Sequence, residues 1–429
     1  MASGSKKLKI LMFDGSAPAH VHTQASRIIA IRDIKEVLGE QIERFTVLLS
    51  EKETHPVPND ENVDVIRVPY RQWIAARAMI EDSDLIVLTH GSMGMYQGSP
   101  TDLGLLSLLV HTAKARGRKF IAYGCDIDAT GVFSRKLLTQ IMSKLDLLIV
   151  MHPECAVKIK DYGARNEIFS ATDPAYRYQA PASDIGVNIK QRLGFDPLKR
   201  PLFILSPSAL FEKRNWASLL NGDTESLYPF MGLSEKLAES RSRYIRQFAA
   251  YSDWLVEAYD ADLALWPAEE VDHLVCHEMM DTMRRRDRCR FLHREDFGLE
   301  EMSWILSASR MHTAGRYGSA ALGMAFGLPT ITISGADDID WVARDFGLMD
   351  LHLHAVSETP WIPGSYKLDE QLVELTRQAL GREVELREKI LAQHRVIRSR
   401  ASGAREILRE WVQSHLLRDE ERNNTIPLP

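Results

Sequence analysis

Short apolar runs alternate with longer amphipathic stretches along most of the chain. Lys7–Asp14 (KLKILMFD) reads as a buried first strand, Thr23–Leu38 as a helix, Phe45–Leu49 and Val63–Val68 as strands, and Arg71–Glu81 as a helix. The series continues with a strand at Asp84–Leu88, a helix at Leu103–Arg116, a strand at Lys119–Tyr123 and a helix at Ser134–Leu145. It ends with a strand at Leu147–Val150, a helix at Glu154–Tyr162 and a short strand at Ile168–Ser170. Buried strands separated by helices at this spacing predict a doubly wound parallel sheet.

Tyr178–Lys199, with Pro181 and Pro197 around one short helix, breaks that rhythm and predicts a domain boundary. A second alternating series follows. It has strands at Pro201–Leu205, Leu263–Trp266 and Arg290–Leu292, and helices at Leu233–Tyr259, Glu269–Arg286 and Leu299–Ser309. Residues 211–233 are longer than an ordinary connection and read as a lid or an inserted surface element. Beyond Pro363 the chain reads as charged helix from Leu368 to about Leu417. The expected organisation is therefore a Rossmann-like domain at 1–178, a linker at 179–200 and a second Rossmann-like domain at 201–367. Helices at 368–429 are expected to pack across both. Two doubly wound α/β sheets facing one another would form a central cleft, with ligands at the carboxyl ends of the strands.

The most informative stretch is Met311–Ser334. Its strand ends at Gly315, Arg316 precedes a small-residue helix at Gly318–Gly327, and Thr330–Ser334 is a further strand. The start of such a helix presents free N–H groups and a positive dipole end. Gly318 and Ser319 permit close approach to that backbone, and the planar fork of Arg316 suits a carboxylate or phosphate. Close helix–sheet packing alone would also account for the small residues.

Composition narrows the class. The chain has 429 residues, too many for one ordinary core, with 45% hydrophobic and 26% charged residues, as in a soluble globular protein. A net charge of −6 argues against a broad nucleic-acid surface, and the absence of a long apolar run argues against a membrane span. The start, MASGSKKLKI, lacks the apolar core of a signal peptide. Four cysteines without CxxC spacing read as reduced thiols in a cytoplasmic protein. No metal pattern is expected: His273 and His277 lie four apart without the glutamate of a zinc-protease motif. Oligomeric state and any peripheral membrane association stay open.

Strand ends supply the candidate chemistry. Asp126, Asp173 and His312 are the catalytic candidates, although a strand-end Asp also caps helices and a His beside an apolar strand also serves a core. Arg316, Gly318, Ser319, Ser206, Lys213 and Arg214 are candidates for holding an anionic donor, and Asp14, His90, Gly91 and Tyr176 for the acceptor side.

Taken together, these features resemble the polysaccharide pyruvyl transferase family over most of the chain. The carriers are Asp84–Leu88 with His90-Gly-Ser, Phe120–Gly124 with Asp126, and Leu147–Val150 with Glu154. Asp173-Pro-Ala-Tyr176, and above all Gly315-Arg316 through Gly327-Leu-Pro329, complete the resemblance. It implies a two-domain fold of the GT-B type. It also implies transfer of the enolpyruvyl carbons of phosphoenolpyruvate onto two hydroxyls of a small-molecule or lipid-linked glycan, without a further cofactor. Gly318 stands where that family usually has histidine, Met151-His152 where it has arginine, and Cys155 where it has serine. Under this reading the missing acid and clamp come from elsewhere, for instance His312 or His152. The alternatives are a GT-B glycosyltransferase using a nucleotide sugar and a non-catalytic binding protein of the same fold.

Overall fold

The computed structural model describes residues 7–14, 20–50, 57, 63–68, 76–89, 100–127, 132–164, 166–180, 186–197, 199–209, 234–269, 272–293, 295–334, 337–354 and 367–417. The chain divides into two compact units. Unit one holds residues 1–19, 23–178 and 397–429, and unit two holds 20–22 and 179–396. The stretch expected as a linker groups with unit two. Its helix Gly186–Leu193 buries Ile189 and Leu193.

Unit one contains strands β1 (Leu8–Asp14), β2 (Ile42–Ser50), β3 (Val63–Val68), β4 (Leu85–Leu88), β5 (Lys119–Cys125), β6 (Leu147–Val150) and β7 (Phe169–Ser170). They form one parallel sheet in the order β3-β2-β1-β4-β5-β6-β7. Helices α1 (Val21–Leu38), α2 (Arg77–Glu81), α3 (Pro100–Ala115), α4 (Val132–Met142) and α5 (Pro153–Asp161) connect them. A strand covered on both faces needs no polar alternation, which is why LIVL, LLIV and ILMF run apolar without a break.

Unit two repeats the plan. After α6 (Gly186–Leu193) come β8 (Leu202–Ser206), α7 (Ser234–Tyr259), β9 (Asp262–Leu265), α8 (Asp272–Thr282), β10 (Cys289–Phe291) and α9 (Leu299–Ala308). Then follow β11 (Met311–Ala314), α10 (Tyr317–Ala325), β12 (Thr330–Ser334), α11 (Asp337–Asp345), β13 (His352–His354) and α12 (Leu368–Gly381). The sheet order is β10-β9-β8-β11-β12-β13, parallel throughout. Phe203, Ile204, Leu205, Leu263, Leu265, Ile331 and Ile333 fill its centre.

Three departures from the sequence reading have local causes. Strand β13 was not expected, because His-Leu-His is short and polar and joins the sheet only as an edge. The helix expected over Glu269–Arg286 is confined to Asp272–Thr282 and followed by a 3₁₀ turn at Arg286–Arg288. The C-terminal helix is two helices, α12 and α13 (Glu383–Val412), separated at Arg382, whose backbone leaves helical geometry. The assignment of α13 passes from unit two to unit one at Ile397.

Candidate functional site

Both sheets share one topological consequence. Counting strands within each unit, the first follows the order 3-2-1-4-5-6-7 and the second 3-2-1-4-5-6, so in both the winding reverses between the first and fourth strands. In doubly wound sheets ligands enter the crevice beyond the carboxyl ends at that reversal. In unit one it falls between β1 and β4, and the loops that follow, residues 15–19 and 90–99, lie outside the described residues. In unit two it falls between β8 and β11, where residues 206–209, 269, 272 and 315–319 are described.

Strand β11 delivers Gly315 and Arg316 to the start of α10. Arg316 is the N-cap in extended conformation without a side-chain cap, and the first intrahelical bond runs from the Ala320 N–H to the Arg316 carbonyl. The helix itself offers no acceptor to the N–H groups of Tyr317, Gly318 and Ser319. Strand β8 delivers Ser206, Pro207 and Ser208. Ser208 is fully buried, its N–H bonds the hydroxyl of Tyr244, and its own hydroxyl has no hydrogen-bond partner among the described residues. That hydroxyl faces the Gly315 backbone so closely that a methyl group there would lie 2.7 Å from it. Glycine at 315 is what lets the β8 and β11 loops pack this closely.

Asp272, the first residue of α8, holds the three loops in register. Its carboxylate is fully buried. It accepts from the Ala209 N–H at 2.8 Å and the Glu269 N–H at 3.0 Å. It also takes the fork of Arg316, with Nε at 3.0 Å and Nη2 at 2.5 Å, and Glu269 adds a second carboxylate to Arg316 at 3.3 Å. Four donors on one carboxylate offset the cost of its burial. Sequence reading missed Asp272, since an acidic residue in a first helical turn is ordinary. The available signal was the reverse requirement: a strand-end arginine flanked by glycines needs a carboxylate from another element.

Arg316, the expected anion clamp, has carboxylate partners in the structure. Its fork is bound to Asp272 and Glu269 and organises the strand-end loops. Ser319 donates to the Arg316 carbonyl at 3.0 Å, and Gly318 is a half-buried second residue of α10. Ser206 pairs with His312 Nε2 at 2.9 Å. His312 lies wholly in the core, stacked on Trp266, and burial pushes its pKa down to about 3. The structure therefore places the candidate His312 inside the sheet core, bound to Ser206. Lys213 and Arg214, and the lid expected at 211–233, lie outside the described residues.

In unit one, Asp14 at the end of β1 is buried and ion-paired with the buried Arg27 of α1. Asp126, just beyond β5, accepts from the Cys155 thiol at 3.2 Å, and burial pushes that thiol well above its usual range. Asp173 caps the 3₁₀ turn Pro174–Arg177 through the Ala175 N–H at 2.8 Å and accepts from Ser26 at 2.9 Å. It is fully buried, so its visible work is to fix that turn to α1. Tyr176 is buried within the turn. Asp33 of α1 takes Arg177 at 2.5 Å and the Tyr123 hydroxyl at 2.5 Å. His152 stands at the N-cap position of α5 without a side-chain cap bond and is paired with Glu154. His90 and Gly91 lie outside the described residues.

Two parallel, doubly wound α/β units define the architecture shared by GT-B glycosyltransferases and related sugar-nucleotide epimerases. Solved structures of that fold match nearly the whole chain. UDP-GlcNAc 2-epimerase from Neisseria meningitidis, bound to UDP-GlcNAc, is 8% identical with a TM-score of 0.58, covering 95% of this chain and 100% of its own. The Anabaena protein HepE, in complex with UDP-glucose, is 14% identical with a TM-score of 0.53 over 95% and 100%. The trehalose 6-phosphate synthase of Burkholderia multivorans is 12% identical with a TM-score of 0.54 over 95% and 98%. No protein-family model and no curated protein matches the chain. No described helix is long and apolar enough to cross a membrane.

Proposed function

We propose that the chain is a GT-B-type transferase that takes a nucleotide sugar, with the donor diphosphate at the N-terminus of α10 in unit two. The single observation that carries this reading is the buried Ser208 hydroxyl without a described partner, set against Gly315 at the strand reversal. A buried hydroxyl left unpaired costs free energy, and a phosphate oxygen arriving there would satisfy it together with the helix N–H groups. Asp272 and Arg316 hold the loops around this point and need not touch the ligand. Two solved structures of the same fold contain UDP-sugars, which supports the same chemistry.

A nucleotide diphosphate suits such a site because backbone amides and hydroxyls can carry much of its recognition. Phosphoenolpyruvate sets a carboxylate and a phosphate side by side and calls for a cluster of cations. Arg316, expected to head that cluster, already meets two carboxylates. The fold support also falls on the nucleotide-sugar reading.

A thermal-shift titration with UDP, GDP, CMP and phosphoenolpyruvate on the native chain and on Ser208→Ala tests this. A nucleotide at about 100 times its Kd would add about 2.7 kcal/mol to the native state. The expected result is stabilisation by one nucleotide, reduced in Ser208→Ala. Stabilisation by phosphoenolpyruvate alone would return the assignment to pyruvyl transfer. No shift with any of the four would favour the non-catalytic reading.

A further inference from the structure

Strand β13 and helix α11 bring three metal-ligating side chains to one point of unit two, away from the loops just described. His352 and His354 are two apart on a strand and therefore project from the same face. Asp340 reaches them from the first half of α11. One ligand atom of each lies within 4.8 Å of the other two. The imidazole rings of His352 and His354 stand edge to face, with centroids 4.6 Å apart.

His352 is oriented as a metal-bound histidine would be. Its side chain is 1% exposed. Nδ1 lies 2.7 Å from the hydroxyl of Thr332, its register partner on β12. That contact orients the ring and turns Nε2 toward Asp340. Nε2 and the Asp340 Oδ1 are 3.0 Å apart, a spacing that two ligands of one ion share. With metal–ligand bonds of about 2.0–2.2 Å, two adjacent donors lie roughly 3 Å apart. A hydroxyl on the remote ring nitrogen is the outer-shell support that metal-bound histidines use.

We propose that Asp340, His352 and His354 form a binding site for a divalent transition metal ion of the zinc class, which pins the edge strand β13 to α11. Two imidazoles and one carboxylate suit Zn²⁺ or Co²⁺ and do not suit Mg²⁺, which prefers an all-oxygen shell. His354 is exposed, so the ion reaches the site from solvent and keeps an open coordination position. The site stands independently of the donor reading.

The test uses the full chain, stripped with EDTA and desalted, then titrated separately with CoCl₂, ZnCl₂ and MgCl₂. The expected result is saturation at one Co²⁺ per chain with visible d–d absorption, a rise in Tm with Zn²⁺, and no rise with Mg²⁺. His354→Ala, a surface change that leaves the core intact, and the near-isosteric Asp340→Asn are each expected to weaken Co²⁺ binding by roughly tenfold or more. Thr332→Val is expected to weaken it by about tenfold through loss of ring orientation. Absence of saturable binding to the native chain would overturn the site. So would Co²⁺ spectra and affinities unchanged in His354→Ala and Asp340→Asn, which would mark binding elsewhere.

Discussion

Each unit places a carboxylate–arginine pair beyond its central strands, but the two pairs are built in opposite senses. In unit one the carboxylate, Asp14, ends the strand and the arginine, Arg27, comes from a helix. In unit two the arginine, Arg316, follows the strand and the carboxylate, Asp272, comes from a helix. The first pair is almost wholly removed from solvent. The second also collects two backbone N–H groups and a second carboxylate, and it ties three loops around a hydroxyl that has no partner among the described residues. An ion pair can therefore serve as a core element in one unit and as scaffolding for a site in the other, with similar chemistry and different surroundings.

The comparison can be broken most directly at the pairs themselves. Asp272→Asn is expected to cost on the order of 3–5 kcal/mol, because it leaves the Arg316 fork poorly matched and weakens the hold on the loops at Ala209 and Glu269. It should also abolish stabilisation by nucleotide. Arg27→Met should cost a similar amount by stranding Asp14, but leave any nucleotide shift intact. Urea unfolding with and without nucleotide reads both. Equal loss of the nucleotide shift in the two variants would remove the distinction between scaffold and core.

Acid should act next. His312 has a folded pKa of about 3 against an ordinary value near 6.5, so the unfolded state takes up the proton first. Its contribution is intact above pH 6.5 and is lost as pH falls from there towards 3. Between pH 7 and 4.5 the loss from this residue is on the order of 2–3 kcal/mol. His312→Leu should flatten that part of the stability profile relative to the native chain, and an unchanged slope would count against a buried neutral imidazole.

The smallest expected effect is the sharpest. Ser208→Ala should leave stability unchanged or raise it by up to about 1 kcal/mol, since it removes an unsatisfied buried hydroxyl. The same change should weaken nucleotide binding roughly five- to tenfold. Destabilisation of the unliganded chain would show that the hydroxyl is already satisfied.

The sheets were legible because parallel strands covered on both faces must be apolar end to end, and runs such as Asp84–Leu88 and Leu147–Val150 satisfy nothing else so well. The helix start after Arg316 was legible from its small residues. The partners were not. Asp272 lies 44 residues before Arg316, and nothing local marks it as the receiver of that fork. Asp173 looked available because a strand-end carboxylate is chemically versatile, and only tertiary packing shows its two bonds to Ser26 and Ala175. Strand β13 escaped because an edge strand of three residues carries almost no periodicity, and the histidines it aligns escaped with it.

The division of α13 at Ile397 has a consequence for synthesis. Ala404, Leu408, Trp411 and Val412 belong to the same apolar cluster as Leu8, Ile10 and Met12 of the first strand. During translation the first unit to leave the ribosome therefore waits for these late residues, while unit two already has all of its own. Unit one is begun first and completed last, and a nascent chain halted before Ala404 would leave that cluster without its closing residues.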